Sequence, residues 1–204
     1  YHNIMFALVE SGSITKMLSG NQGIQIGDLK YPRAIYTLWT EAERNAIDIY
    51  VIEIDNTNKK DEQWYINTNI TYAFDGTNAT GSYGDATARA HADANFTAED
   101  EENELGTEGE LKSRGLKYRL IQDVKLEAAN ELAKTDWYVV RKSEESTAIP
   151  SAITTHRRAV RSKQAAMETA ITNASDTPAL ETLYTYTTDS DEVHSRPLGE
   201  IPTL

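Results

Sequence analysis

The chain has 204 residues, of which 39% are hydrophobic and 25% charged, an ordinary globular balance that excludes wholesale disorder. This length suffices for one generous domain or two small ones, burying roughly two thirds of the unfolded surface without staples. A net charge of -12 repels a phosphate backbone and argues against nucleic acid as a partner. The absence of Cys rules out disulfides and thiolate metal sites and suits a reducing compartment, or a particle assembled in one. No apolar run approaches the ~18 residues needed to cross a bilayer, so no membrane is expected as a partner. The chain opens at Tyr1 without Met, so a few residues are expected to be missing at its start.

From Ile4 to Leu18 two β-prone runs bracket Ser11-Gly12-Ser13, which predicts a hairpin. A second hairpin is predicted from Gly23-Ile24-Gln25-Ile26, a turn at Gly27-Asp28, and Leu29-Lys30-Tyr31 ahead of Pro32. These glycines are turn glycines, because neither a helical pattern nor a Lys-Ser/Thr pair follows to make a phosphate loop. Thr40-Glu41-Ala42-Glu43 forms a capping box, so a short helix should begin there and stop near Ile47 or Asp48. Ile49 to Ile54 is strongly β-branched, Trp64 to Phe74 alternates as a further strand, and Asp75-Gly76 turns the chain into a partner over Ala79 to Tyr83. Residues 1–85 are therefore predicted to be a β-rich domain, mostly antiparallel, with one short helix.

Residues 86–109 are rich in Ala, Asp and Glu and are predicted to be a linker, whose acidic centre at Glu99 to Glu104 reads as a solvated loop or a first helical turn. A calcium loop would place its carboxylates at alternate positions around a turn Gly, and this run does not. From Glu110 the period becomes helical: Leu116, Leu120, Val124, Ala128 and Leu132 recur every four residues, with the helix ending near Lys134. A short extended segment centred on Trp137 should follow. Pro150-Ser151 opens a second amphipathic helix with Ile153, Val160, Met167 and Ile171 on one side, and Thr177-Pro178 opens a short third over Ala179 to Tyr184. The fold class is thus α+β, with a helical module at 110–186 and an aperiodic tail at 187–204 that needs a partner to be ordered.

No catalytic, metal or cofactor site emerges. His2, His91, His156 and His194 do not share one helix face at ligand spacing, and neither a Gly-x-Ser-x-Gly elbow nor a Ser-x-x-Lys pair is present. Sequons at Asn69, Asn78, Asn95 and Asn173 carry no weight in a Thr- and Asn-rich chain. His156, Arg157, Arg158 and Arg161, reinforced by Arg141 and Lys142, make a basic patch. It either pairs within the chain, with Asp136, Glu144, Glu145 or the first long helix, or docks an acidic surface. Trp137 divides in the same way, between a plug over a two-helix corner and an exposed anchor.

Leu132-Ala133-Lys134-Thr135-Asp136-Trp137, then Pro150 and Thr155-His156-Arg157-Arg158-Ala159-Val160-Arg161, resembles the C-terminal module of bacteriophage tail-associated proteins. In that module a helix ends in a leu-x-x-thr/ser-asp-trp phrase, a Pro follows, and the next helix carries tyr-arg-x-x-x-arg. Such proteins include tail fibre assembly or tail assembly chaperone-like proteins and virion structural proteins of marine phages. Tyr31-Pro32 and Leu38-Trp39-Thr40-Glu41-Ala42-Glu43 leading to Ile49-Tyr50 look similar to the N-terminal portion of such proteins. The chain departs from the pattern in having His156 for the usual Tyr, Tyr138-Val139-Val140-Arg141 for a short polar turn, and Asp48 for Gly.

The resemblance implies a virion structural protein, a tail fibre- or baseplate-associated adaptor that is assembled in the host cytoplasm and acts by protein–protein binding. It brings no catalytic residue. The expected partners are other tail or virion proteins, in an oligomeric arrangement within the particle. A non-virion assembly chaperone and a capsid decoration protein are the alternatives, and an envelope-degrading enzyme is a formal third. The candidate interface residues are Trp137, Arg141, Arg157 and Arg161, with Leu198, Ile201 and Leu204 as apolar anchors of a tail ordered on a neighbouring subunit.

Overall fold

A computed structural model describes residues 4–204; Tyr1, Asn3 and the candidate ligand His2 lie outside the described residues. The fold is α+β, in two compact units that divide between Thr87 and Ala88.

The first unit is built on a curled sheet. Strands β1 (Phe6–Glu10) and β2 (Ser13–Leu18) form the expected hairpin, turning through Ser11 and Gly12 at φ 52° and 78°. Strands β3 (Ile24–Ile26) and β4 (Leu29–Tyr31) form a second, separate hairpin around Gly27. Helix α1 (Ile35–Leu38) has no predicted counterpart; it exists to bury Ile35 and Tyr36 against the sheet. Helix α2 (Glu41–Asn45) carries the predicted capping box, with Thr40 and Glu43 each bonding the other's backbone amide. Those bonds from Thr40 hold the Glu43 carboxyl below its ordinary pKa. Asp48, at φ 60°, takes the left-handed conformation that lets the chain leave α2 and enter β5 (Ile49–Asp55).

The alternation over Trp64 to Phe74 does not form one strand. It breaks at Asn67, whose side chain bonds the backbone of Lys60 in both directions, leaving β6 (Tyr65–Ile66) and β7 (Ile70–Phe74). Asp75 accepts from the amides of Thr77 and Asn78 and Gly76 sits at φ 100°, closing the β7 hairpin with β8 (Ala79–Tyr83). The order of the main sheet is β2-β1-β5-β8-β7. The sheet is mostly antiparallel, as expected, with one parallel pair, β5 and β8: β7 reverses the chain at the outer edge, so β8 returns beside β5 in the same direction.

Alternation along β1 divides the core. Phe6 and Leu8 face one side, with Leu18, Ile24, Ile49 and the two buried residues of α1, while Ala7 faces the other with Ile52 and Ala79. The edge strands β2 and β7 approach each other, so the second side lies inside a nearly closed curl. A two-residue strand, β9 (Thr87–Ala88), marks the division between the units.

The second unit contains the acidic stretch, which is folded rather than a linker. Strand β10 (Ala94–Asn95) pairs with β11 (Leu111–Ser113), and between them Thr97 and Asp100 form a second capping box on α3 (Ala98–Glu102). Its carboxylates acquire partners: Asp93 meets Arg114 at 2.6 Å and Asp100 meets Lys112 at 2.7 Å. The Lys112 contact leads the causes that draw Asp100 down to a pKa of about 2.

Helix α4 (Leu116–Ala133) starts after β11, six residues later than the period suggested, and packs against α6 (Ser151–Asn173). The contacts of Lys117 with Thr172 and of Glu131 with His156 show the pair to be antiparallel. Their seam buries Leu120, Val124 and Ala128 against Val160, Met167 and Ile171. Helix α7 (Thr177–Tyr184) is capped by Asp176 instead of Thr177, because the Thr177 hydroxyl is buried and bonds the Arg89 carbonyl.

The tail forms a two-stranded ladder, β12 (Thr187–Thr188) with β13 (His194–Ser195), and then lies on its own unit. Asp48→Gly, which removes the Cβ from a positive-φ position, is expected to hold or raise stability by up to about 1 kcal/mol, and Asp48→Val to lower it by about 1–3 kcal/mol. Hydrogen exchange of the β1 and β5 amides in the full chain reads both changes.

Candidate protein-binding surface

The stretch after Trp137 is not extended. Asp136–Glu145 form α5, ended by Ser146 at φ 58°. Tyr-Val-Val favours a strand locally, yet no neighbouring strand edge receives it, and no Gly or Pro interrupts the run. Two other features favour the helix: Asp136 sits in its positively polarised first turn, and Trp137 and Arg141 stack across one turn.

Helix α5 buries none of its residues. Trp137 is 52% exposed, and Val139 and Val140 are also exposed, so Trp137 is not the plug of a two-helix corner. Its ring lies 4.0 Å from that of Tyr138, and the Arg141 guanidinium sits 4.6 Å from the indole centroid. No described carboxylate lies within ion-pair distance of Arg141. Aromatic, aliphatic and cationic surface thus stands together on a helix with nothing packed over it.

The corner that presents α5 is set by Arg157. Only 8% exposed, it donates from Nη1 to the Leu132 carbonyl and to Thr135 Oγ1, both at 2.7 Å, and pairs with Asp136 at 2.9 Å. The Thr135 hydroxyl in turn donates to the Leu132 carbonyl. Arg157 therefore joins the end of α4, the start of α5 and the middle of α6. As an interface residue it is a correction: it is buried, and its Nη1 is engaged inside the unit. Arg161, one turn on, is exposed and borders a shallow polar depression with Gln164 and Glu168.

The tail anchors are also corrected. Leu198 and Ile201 are 2% and 4% exposed, covered by their own unit, so no neighbouring subunit is needed to order them. The Leu198 amide donates to the Leu183 carbonyl, and Gly199, at φ 71°, passes so close to Lys163 that a Cβ would lie 2.2 Å from Nζ. Leu204 alone of the three remains exposed. Its amide reaches the buried carboxylate of Glu131 at 3.0 Å, which also holds His156 at 3.1 Å and Lys134. Arg196 covers the rings of Tyr184 and Tyr186, and burial pushes the Tyr184 hydroxyl up to about 12.

Among the described residues no group of three or more His, Cys, Asp or Glu could hold a metal, and no helix is long and apolar enough to cross a membrane. Compared with protein-family models, with curated proteins and with solved structures, the chain matches none.

The site residues therefore separate by partner. Trp137, Arg141 and Arg161 face outward, whereas Arg157, Leu198 and Ile201 are structural. Arg157→Ala should destabilise α4 and α6 by about 2–3 kcal/mol, because it removes the charged donor that the Leu132 carbonyl, the Thr135 hydroxyl and the Asp136 carboxylate share. Trp137→Ala should leave the exchange protection of both helices unchanged.

The Glu131 carboxyl is held below its ordinary pKa, first by Lys134 and then by the Leu204 amide and His156. A carboxyl depressed in the folded state stabilises it above the unfolded value of 4.5, and that stabilisation is lost as pH falls through the folded value. Exchange at the Leu204 amide should accelerate relative to the rest of the unit on acidification below about pH 4.5. Glu131→Gln should remove that dependence.

Proposed function

We propose that this chain is a bacteriophage virion structural protein, a tail fibre- or baseplate-associated adaptor whose work is binding rather than catalysis. The observation that carries the binding part is the unpartnered face of α5, where Trp137, Tyr138 and Arg141 stack beside exposed Val139 and Val140. Trp, Tyr and Arg are the residues most enriched at interface hot spots, and a stacked pair under a guanidinium has lost much of its rotamer freedom before any partner arrives. The virion part rests on the Leu132–Trp137 phrase and the Thr155–Arg161 helix, which resemble the tail-associated module.

In this reading the antiparallel α4–α6 pair is the scaffold, the Arg157 corner aims α5, and a neighbouring tail protein covers the α5 face. Arg161 extends the cationic surface along α6. Leu198 and Ile201 of the tail are not docking residues, because they are already covered.

Mass spectrometry of purified particles tests the proposal. The chain should be present stoichiometrically, and Trp137→Ala together with Arg141→Ala should cut incorporation at least tenfold while the isolated variant stays folded. Presence only in assembly intermediates would mark a transient chaperone, and full incorporation of the double variant would remove α5 from the interface.

A further inference from the structure

The curl of the five-stranded sheet in the first unit leaves one end open. At that end β1 begins, β5 and β8 finish and β7 begins, and the strands surround a cavity of about 680 Å³. Its apolar walls include Met5, Val51, Ile52, Ile54 and Ile70, and Asn56, Lys59 and Tyr83 stand on the polar side.

Two features shape this space. Gly81 has no Cβ, and the side chains of Ile54, Ile70 and Tyr72 pack over its backbone, within 2.8–3.0 Å of where a Cβ would stand, which brings the two isoleucines of the wall together. The aromatic rings that fill the curl further in, Tyr50 and Phe74, stack on each other at 4.6 Å and do not line the cavity. Ile54 is left 41% exposed, apolar surface that a ligand or packing would otherwise cover. A largely apolar cavity of a few hundred Å³ with few polar groups, set in the mouth of a small curled sheet, has the dimensions and position of a small-molecule site.

The polar side is fixed in place. Asn58 donates to the Tyr83 carbonyl at 3.0 Å, and Asn67 bonds Lys60 in both directions, so the segment after β5 is tied to β8 and to the residue that follows β6. That segment carries Lys59, whose ammonium lies 5.8 Å from the Tyr83 ring centroid. Its nearest carboxylate is Glu62 at 4.0 Å, a loose and solvent-exposed pair. Lys59 is the sole charged group in the cavity lining. A cation entering the mouth would meet this ammonium, and a neutral chain would gain nothing from it.

We propose that the mouth of the curled sheet binds a small amphipathic carboxylate, with its apolar chain against Ile52, Ile54 and Ile70 and its carboxylate on the Lys59 ammonium. This site is independent of α5 and of the assembly reading.

Calorimetric titration of the full chain with dodecanoate, kept below its micellar range, tests it. Saturable binding at one site per chain is expected. Lys59→Gln should weaken dodecanoate about fivefold, the range of a partly exposed ion pair, and leave dodecanol binding unchanged. Ile54→Glu, at a position 41% exposed, should abolish binding of dodecanoate with the circular dichroism spectrum intact. Dodecyltrimethylammonium should not displace dodecanoate. Absence of saturable dodecanoate binding, or binding equal in the intact chain and in Ile54→Glu, would overturn the site; equal affinity in Lys59→Gln would overturn the carboxylate assignment.

Discussion

Everything distinctive about the second unit depends on one buried guanidinium. Arg157 lies on α6, yet its donors end on the last turn of α4, on the Thr135 between helices, and on the first residue of α5. Burying an arginine is costly unless it is paired and hydrogen-bonded, and here three oxygens, from the end of α4, from Thr135 and from the start of α5, gather on its Nη1. The consequence is geometric. Helix α4 must stop where its Leu132 carbonyl faces Arg157, and α5 must begin where Asp136 can reach it, which sends Trp137 away from the seam of α4 and α6 instead of into it.

A second polar cluster closes the same end of the helical pair. Glu131 gathers His156, Lys134 and the Leu204 amide, so the last described residues are tied to the corner that Arg157 builds. With Leu198 and Ile201 buried and Gly199 pressed against Lys163, the terminal segment is a third layer over the helices. The acidic composition of the chain thus has an internal use, since Asp93, Asp100, Glu131 and Asp136 each hold a cation of their own unit. Beyond Asp136, α5 leaves Trp137, Val139 and Val140 uncovered in succession.

What could be read from the residues in order was what local chemistry decides. Thr40 and Glu43 cap a helix over three residues, Gly12 and Gly76 turn hairpins, and the four-residue period of Leu116 to Leu132 marks a buried helical stripe; each signal and its effect lie within one turn or one hairpin. The failures are non-local. Tyr-Val-Val at 138–140 favours a strand, but it has no partner strand, and the Asp136–Arg157 pair and the Trp137–Arg141 stack carry it into a helix. Aperiodicity in 187–204 concealed a segment whose apolar residues dock singly, because Leu198 and Ile201 obey the surface of α4, α6 and α7 rather than a repeat of their own. Glu99 to Glu104 is largely solvated, as its charge suggests, but the linker around it is folded, because the cation that holds Asp100, Lys112, comes from a strand twelve residues on. At the candidate surface, residue types pointed to Trp137, Arg141, Arg157 and Arg161 alike, and only burial separates the one that builds the corner from those that face outward.

The central claim is that the Arg157 corner holds Trp137 in the open so that another protein can cover it. Oxidative footprinting of Trp137, in the free chain and in purified phage particles, measures this directly. The account predicts rapid oxidation of Trp137 in the free chain and strong protection in the particle, with exposed Leu38 and Leu126 as reference positions on other faces. Protection of Trp137 already in the free chain, or equal oxidation in both states, would contradict it.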